Sequence, residues 1–238
     1  MKTQSYYLTI IIMFLAIISA DSQGIIIQHS GDNNPINEGF TGPSPSALFG
    51  PVTGDLGMNA WMIHTTNSAP AYYSQTLTSQ QQSETTGANW SLSTTVRLIQ
   101  SSGAIGVEFI AGSEGGFFLD FGINSNGDPT VQTGNSSPVF TLTGAGSTYN
   151  NYELVYSDAT DTASLWVNGI QELNDITGDV GYASSGWGLT WGEFQGSSSQ
   201  ANWNLVSLSV PEPSAISLLF LGNGVLIYVR TRKRFNMK

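Results

Sequence analysis

The chain has 238 residues, of which 17 are acidic and 7 basic, and its formal net charge at pH 7 is −10. The segment 21–210 holds 16 of the acidic residues and a single base, Arg97, so its net charge is near −15. Such a surface repels nucleic acids and anionic lipid headgroups, so no nucleic-acid partner is expected. The absence of cysteine excludes disulfide frameworks, thiolate zinc sites and cysteine nucleophiles.

The N-terminal residues have the pattern of a secretory signal peptide. Lys2 supplies a positive charge, the run 6–18 is apolar, and small residues precede Asp21. We therefore interpret 1–20 as a signal peptide in helical form, with an uncleaved anchor as the alternative. About 190 residues then remain before position 210, enough for one domain with a sizeable core.

Short alternating segments between turn-forming clusters predict an all-β sandwich or barrel. Residues 21–57 form an irregular segment with one apolar run, 25–27, as a candidate first strand. One helix is predicted over 78–83, where the sequence has a capping-box pattern. The other predicted strands are 58–65, 71–76, 90–99, 105–111, 116–123, 129–133, 138–142, 151–157, 162–168, 187–191 and 202–209.

Three stretches within 58–209 carry a likeness to a known family. They read YYSQTLT and WSLS (72–78, 90–93), YELVYSDAT and ASLWVNG (152–160, 163–169), and WG and ANWNLV (191–192, 201–206). This pattern resembles the concanavalin A-like, laminin-G-like jelly rolls. The resemblance implies a two-sheet antiparallel sandwich and, often, binding of glycans or proteins, but it does not by itself imply an enzyme.

Alternation along three predicted strands places charged side chains on one face of a sheet. With the apolar faces aligned in a meander, Arg97 is expected opposite Glu108, and Glu108 opposite Asp120. Such a ladder fits a groove that binds a ligand, the carboxylate pair of a retaining glycosidase, or a Ca²⁺ site. A solvated face with a modest ion pair is the alternative.

Sequence motifs for catalysis are absent. Glycosidases of the concanavalin A-like fold carry Glu-x-Asp-x-x-Glu on one strand, which the residues around Glu108 do not match. The chain also lacks Gly-x-Ser-x-Gly and His-Glu-x-x-His. We therefore expect a protein that is not an enzyme.

Trp166 is the tryptophan most suited to stack on a sugar ring. Alternation turns it away from Leu165 and Val167, whereas the other tryptophans are expected in the core. Acidic turns at 124–128 and 158–161, and a loop at 175–179, are candidates for Ca²⁺, although none matches the EF-hand pattern. Because Asp and Asn favour turns in any case, no metal or other cofactor is predicted, with Ca²⁺ as the alternative.

The last 29 residues have three parts. A Val-Pro-Glu-Pro motif is followed by an apolar run, 215–229, and a basic tail, 230–238. The motif residues are Val210, Pro211, Glu212 and Pro213, and the basic residues are Arg230, Arg232, Lys233 and Arg234. The run can form a transmembrane helix, although 15 residues cover only about 22 Å of a core roughly 30 Å thick, and the basic residues stay in the cytoplasm.

This order of parts resembles the PEP-CTERM sorting signal of Gram-negative bacteria. The resemblance implies recognition by an exosortase, a membrane protease-transpeptidase that cuts near Pro-Glu-Pro. Transient anchoring in the inner membrane would precede release to the cell surface or extracellular matrix. A plain C-terminal membrane anchor is the alternative.

The sequence thus predicts an exported surface or matrix protein whose partners are the secretion machinery, an exosortase and a polysaccharide. A polysaccharide-active enzyme using Glu108 and Asp120, or a purely structural matrix protein, are the alternatives.

Overall fold

A computed structural model describes residues 23–43, 47–66, 69–112, 115–134, 139–182 and 186–211. The chain divides into two compact units, and the larger, Ile25–Val210, is the β domain. The other comprises Met1–Gly24 and Pro211–Lys238 and lies almost wholly outside the described residues.

The predicted signal peptide, the apolar run 215–229 and the basic tail all lie outside the described residues, as do Glu212 and Pro213. Within the ranges that the structure describes, no helix is long and apolar enough to span a bilayer.

The described domain is built from short strands and one short α-helix, α1 (Ser79–Thr85). The strands are β1 (Gln23–Ser30), β2 (Leu48–Asp55), β3 (Met58–Thr66), β4 (Ala71–Thr76), β5 (Trp90–Gln100), β6 (Ile105–Ala111), β7 (Gly116–Ile123), β8 (Pro129–Gln132), β9 (Phe140–Thr141), β10 (Tyr149–Ser157), β11 (Thr162–Val167), β12 (Ile170–Ile176), β13 (Trp187–Glu193) and β14 (Ser198–Pro211). Thr78 caps α1 in the expected capping box with Gln81.

Two antiparallel sheets form a sandwich, which confirms the predicted all-β class. The eight-stranded sheet has the order β12-β11-β10-β5-β14-β3-β2, with β1 also paired to β14. The six-stranded sheet has the order β4-β13-β6-β7-β8-β9. Apolar residues that alternate along these strands meet between the sheets, so the polar faces point outward.

The strands β2 and β12 are absent from the sequence prediction, and both lie at edges of the eight-stranded sheet. β2 contains Gly50, Pro51 and Gly54, and in β12 four of the five residues from Gln171 to Asp175 are polar, with Leu173 as the exception. An edge strand needs fewer apolar side chains, and it tolerates proline because one side of its backbone is unpaired. Neither segment therefore has the alternation of a buried strand.

Aromatic rings join the two sheets through the core. Trp90 of β5 stacks on Tyr156, with ring centroids 4.9 Å apart. The same indole meets Phe109 and Phe117 of the opposite sheet edge-to-face, at 5.0 and 4.9 Å. These edge-to-face contacts between rings stabilise the sandwich beyond the burial of apolar area alone.

A second aromatic cluster lies around Trp191 of β13. His29 of β1 is fully buried and stacks on this indole at 4.6 Å, and Tyr73 stacks on it at 4.9 Å. Trp203 of β14 packs against it at 5.3 Å. The Nδ1 atom of His29 lies 2.6 Å from the Glu38 carboxylate, which partners one nitrogen of the buried imidazole.

Replacement of Trp90 by alanine should lower the free energy of unfolding by about 3–5 kcal/mol, because it leaves a cavity and removes three ring contacts. Trp166→Ala is the matched control, since Trp166 is only half-buried, and it should cost less than half as much. Urea unfolding of both variants tests this, and equal losses would contradict the core assignment.

Candidate ligand-binding groove

The outer face of the six-stranded sheet carries an open cavity of about 440 Å³, which we call the acidic groove. Its lining residues are Tyr72, Ala104, Glu108, Phe118, Asp120, Thr190, Phe194 and Gln195. Most of them come from β4, β13, β6 and β7, four adjacent strands. Side chains of one face therefore converge on this cavity from distant parts of the sequence.

Two carboxylates are brought together in the acidic groove. Glu108 pairs with Thr190 on one side and with Phe118 on the other. Asp120 lies two residues beyond Phe118 on the same face of β7 and pairs with Gly106. Glu108 and Asp120 are therefore diagonal neighbours, a relation that places Cα atoms about 7–8 Å apart in antiparallel sheets.

The predicted ladder of Arg97, Glu108 and Asp120 is wrong in its strand pairing. β5 lies in the other sheet between β10 and β14, so Arg97 pairs with Tyr149 and Asn202 instead of Glu108. Glu108 and Asp120 are diagonal rather than directly opposite. Alternation determines which side chains share a face of a strand, but it does not determine which strands pair.

Glycines open the floor of the acidic groove. One row across the sheet reads Tyr72, Gly192, Gly106, Asp120, so two adjacent positions have no side chain. A Cβ at Gly106 would lie 2.9 Å from the Phe194 ring and 3.0 Å from the Asp120 carboxylate. Gly192 has φ 135°, and a Cβ there would approach backbone to 2.4 Å. Both positions therefore require glycine.

Three aromatic rings border the acidic groove. Tyr72 is 43% exposed, and its ring centroid lies 6.1 Å from that of Phe194. Phe118 is buried and pairs with Glu108 across the neighbouring strand. Sequence reasoning placed Phe118 on the face of Asp120 but missed Tyr72 and Phe194, although alternation along 71–76 already turns Tyr72 away from the buried Tyr73.

Both carboxylates of the groove are unfavourably placed as anions. Burial raises the pKa of Asp120 to about 6. Burial also raises the pKa of Glu108, and the charges of Asp120 and Asp179 raise it further. Among the described residues, neither Glu108 nor Asp120 receives a hydrogen bond or has a basic partner.

Other acidic side chains of the domain have partners that explain their positions. The Glu193 carboxylate accepts backbone N–H groups of Gln195 and Gly196 at 2.9 and 2.7 Å, and the Ser197 hydroxyl at 3.1 Å. Asp128 accepts the Gly144 N–H at 2.9 Å. These residues hold loops in place, a role that Glu108 and Asp120 do not have.

Arg97, the single base of 21–210, is committed to a separate polar cluster. Its guanidinium binds the Asp55 carboxylate, which also accepts the Tyr149 hydroxyl at 2.8 Å and the Asn202 amide at 2.6 Å. Burial raises the pKa of Asp55, but the bonds from Asn202 and Tyr149 and the Arg97 charge outweigh it, so the pKa is lowered. This cluster fixes the β2–β3 hairpin against β5, β10 and β14.

Trp166 lies on the outer face of the eight-stranded sheet, opposite Glu153 of β10 and Gln171 of β12. The four predicted ligand-binding residues are therefore divided between the two sheets. Glu108 and Asp120 share the acidic groove, whereas Trp166 and Arg97 belong to the other sheet.

A second cavity of about 450 Å³ adjoins the groove. It is lined by Thr41, Gly42, Pro43, Ala69, Pro70, Tyr72 and Ser74. Tyr72 lines both cavities.

The acidic turns considered for Ca²⁺ use their oxygens internally. The Asn124 side chain accepts the backbone N–H groups of Asn126 and Asp128, at 2.9 and 3.0 Å. Asp161 accepts the Tyr156 hydroxyl, and Asp179 accepts the Gly181 N–H. In the described part of the chain, no group of three or more His, Asp or Glu side chains could hold a metal ion.

No protein-family model and no curated protein sequence matches the chain. Among solved structures, the conserved carbohydrate esterase of the Shiga toxin-encoding bacteriophage phi24B is similar, with a TM-score of 0.61 and 8% identity over 80% of this chain and 100% of that one. The botulinum neurotoxin serotype G binding domain has a TM-score of 0.49 and 10% identity over 84% of this chain, which spans 51% of its length. At these identities the likeness concerns the β-sandwich fold alone.

Asp120→Asn should stabilise the protein at pH 7. Burial raises the pKa of Asp120 from 3.8 to about 6. Between these pH values the folded protein keeps a proton that the unfolded chain has released. The free energy of unfolding therefore falls as the pH rises from about 4 to 6. The variant should gain up to about 3 kcal/mol at pH 7 and nothing near pH 4. Urea unfolding across this pH range measures the difference.

Glu193→Gln is the matched control, because the buried Glu193 carboxylate accepts several backbone N–H groups. It should lose about 1–3 kcal/mol at pH 7. A loss of stability in Asp120→Asn as well would show that Asp120 has a structural partner.

Proposed function

We propose that this is an exported protein that binds carbohydrate in the acidic groove. The observation that carries the proposal is a pair of carboxylates, Glu108 and Asp120, that lack partners among the described residues and lie in an aromatic-lined cavity. Ionisable groups with perturbed pKa values in a cleft mark candidate functional sites.

The lining of the groove suits a sugar ring. Pyranose rings have apolar C–H faces that pack on aromatic rings, here Tyr72 and Phe194. Their hydroxyl groups donate hydrogen bonds, which the Glu108 and Asp120 carboxylates can accept. These hydrogen bonds would offset the free-energy cost of burying the two carboxylates.

Comparison with solved structures is compatible with this function. The phage protein of similar fold is named a carbohydrate esterase, and its sandwich is covered completely by this chain. A fold shared at 8% identity supports a common scaffold, and the function proposed here depends on the groove itself.

Export and sorting form the second part of the proposal and depend on the terminal sequences. The signal-peptide pattern of 1–20 directs export, and the resemblance of 210–238 to a PEP-CTERM signal directs processing by an exosortase. Surface or matrix location follows from this processing.

Tyr72→Ala should weaken binding to the protein's preferred glycan about tenfold or more, because it removes the exposed ring of the groove. A glycan array read with full-length protein identifies the ligand, and titration of that glycan measures the loss. Trp166→Ala is the control on the opposite sheet. If Trp166→Ala abolishes binding and Tyr72→Ala does not, the site lies on the eight-stranded sheet.

Pro211→Ala combined with Glu212→Ala should leave the protein uncut and bound to the membrane in its native host. Intact masses of protein from membrane and medium measure this. The wild type should begin near Asp21 and end near Pro211–Pro213 in the medium. Normal release of the double variant, or a released form that retains the basic tail, would overturn exosortase sorting.

A polysaccharide-cleaving enzyme is the second candidate, favoured by one observation. The pKa of Asp120, raised to about 6, is suited to a general acid near neutral pH. Assay of reducing ends released from the bound glycan separates the two functions. Release that is lost in Glu108→Gln and Asp120→Asn supports catalysis, whereas binding without release supports a binding protein.

A further inference from the structure

The charge of the acidic groove restricts which carbohydrates can enter it. Glu108 and Asp120 line the cavity, and the described lining residues include no base. Arg97 is held by Asp55 and lies in the other sheet. A uronic or sialic acid would therefore bring a third negative charge without any cation to receive it, and repulsion would oppose its binding.

A neutral sugar offsets only part of the free-energy cost of removing water from the two carboxylates of the groove. Its hydroxyl groups can donate hydrogen bonds to Glu108 and Asp120, but the two carboxylates continue to repel each other in a site from which water has been displaced. A ligand ammonium group removes that repulsion and supplies three donors at one point. Positive charge on the ligand is thus the strongest match to the site.

The aromatic border of the groove also favours an ammonium group. The rings of Tyr72 and Phe194, 6.1 Å apart, face the same cavity as the carboxylates. A cation within about 6 Å of an aromatic ring is attracted to its face. A sugar that carries an amino group therefore satisfies rings and carboxylates together.

The second cavity offers room for a further sugar next to the acidic groove. It shares Tyr72 with the acidic groove and has a similar volume, and its described lining residues carry hydroxyl and apolar groups and no charge. Thr41 and Ser74 supply the hydroxyl groups, whose oxygens lie 3.2 Å apart. A chain that crosses Tyr72 would fill both cavities with neighbouring sugars.

We propose that the acidic groove binds a polysaccharide of amino sugars with free amino groups. One ammonium group lies against Glu108 and Asp120, and the adjoining sugar occupies the second cavity beyond Tyr72. This inference rests on the proposed carbohydrate-binding function and adds the charge and the minimum length of the ligand.

Calorimetric titration of the full-length protein with three tetrasaccharides tests the proposal. The probes are a glucosamine tetramer with free amines, its fully N-acetylated counterpart and a tetramer of uronic acid. At pH 6.5 the free-amine tetramer should bind at least about tenfold more tightly than the acetylated one, and the uronic acid tetramer should not bind. Glucosamine alone should bind more weakly than the tetramer, because a single sugar cannot fill both cavities.

The double variant Glu108→Gln with Asp120→Asn keeps the shape of the groove and removes its charge. It should bind the free-amine tetramer no more tightly than the acetylated one. Glu153→Gln is the matched control, because Glu153 lies on the outer face of the other sheet, and it should keep the preference.

Each result separates the charge inference from the proposed function. Equal affinity for free-amine and acetylated tetramers would overturn the amino-sugar specificity and leave carbohydrate binding intact. Unchanged preference in the double variant would also overturn it. A glycan array without any bound carbohydrate, together with no binding of the three tetramers, would overturn both.

Discussion

Aromatic packing between the two sheets is the constraint on which the rest of this domain depends, because the chain has no cysteine and therefore no disulfide. Trp90 bridges to Phe109 and Phe117, and Trp191 bridges to His29 and Trp203. Because large rings of the two sheets contact each other, they fix the position of one sheet relative to the other. They also determine the outer face, since a residue between two inward-facing neighbours must point outward.

The acidic groove is a direct product of that alternation. Glu108 faces outward because Val107 and Phe109 are buried, and Asp120 faces outward because Leu119 and Phe121 are buried. Most acidic residues with defined contacts serve the fold by accepting N–H groups or a guanidinium. The two in the groove have no such partner among the described residues, and burial raises the pKa of both.

The sequence allows prediction of the fold class and of the inward and outward faces, because both depend on local alternation. It does not allow prediction of strand partners, because β5 pairs with β10 and β14, which follow it by about 50 to 110 residues. For that reason Arg97 and Glu108 were expected in one sheet and lie in two. The groove also depends on Gly106 and Gly192. These two glycines form an open floor only because β6 and β13 are neighbours, and the sequence does not show that pairing.

β14 is the last strand of the β domain and leads into the C-terminal sequence. It extends from Ser198 to Pro211 and pairs with β5 along most of its length, with β3 over its first part, and with β1. A pull along this strand from the C-terminal side loads many backbone hydrogen bonds in parallel, as shear, rather than opening them one after another. A domain attached to a surface through this end would therefore resist mechanical unfolding by flow more strongly than one attached through an edge strand.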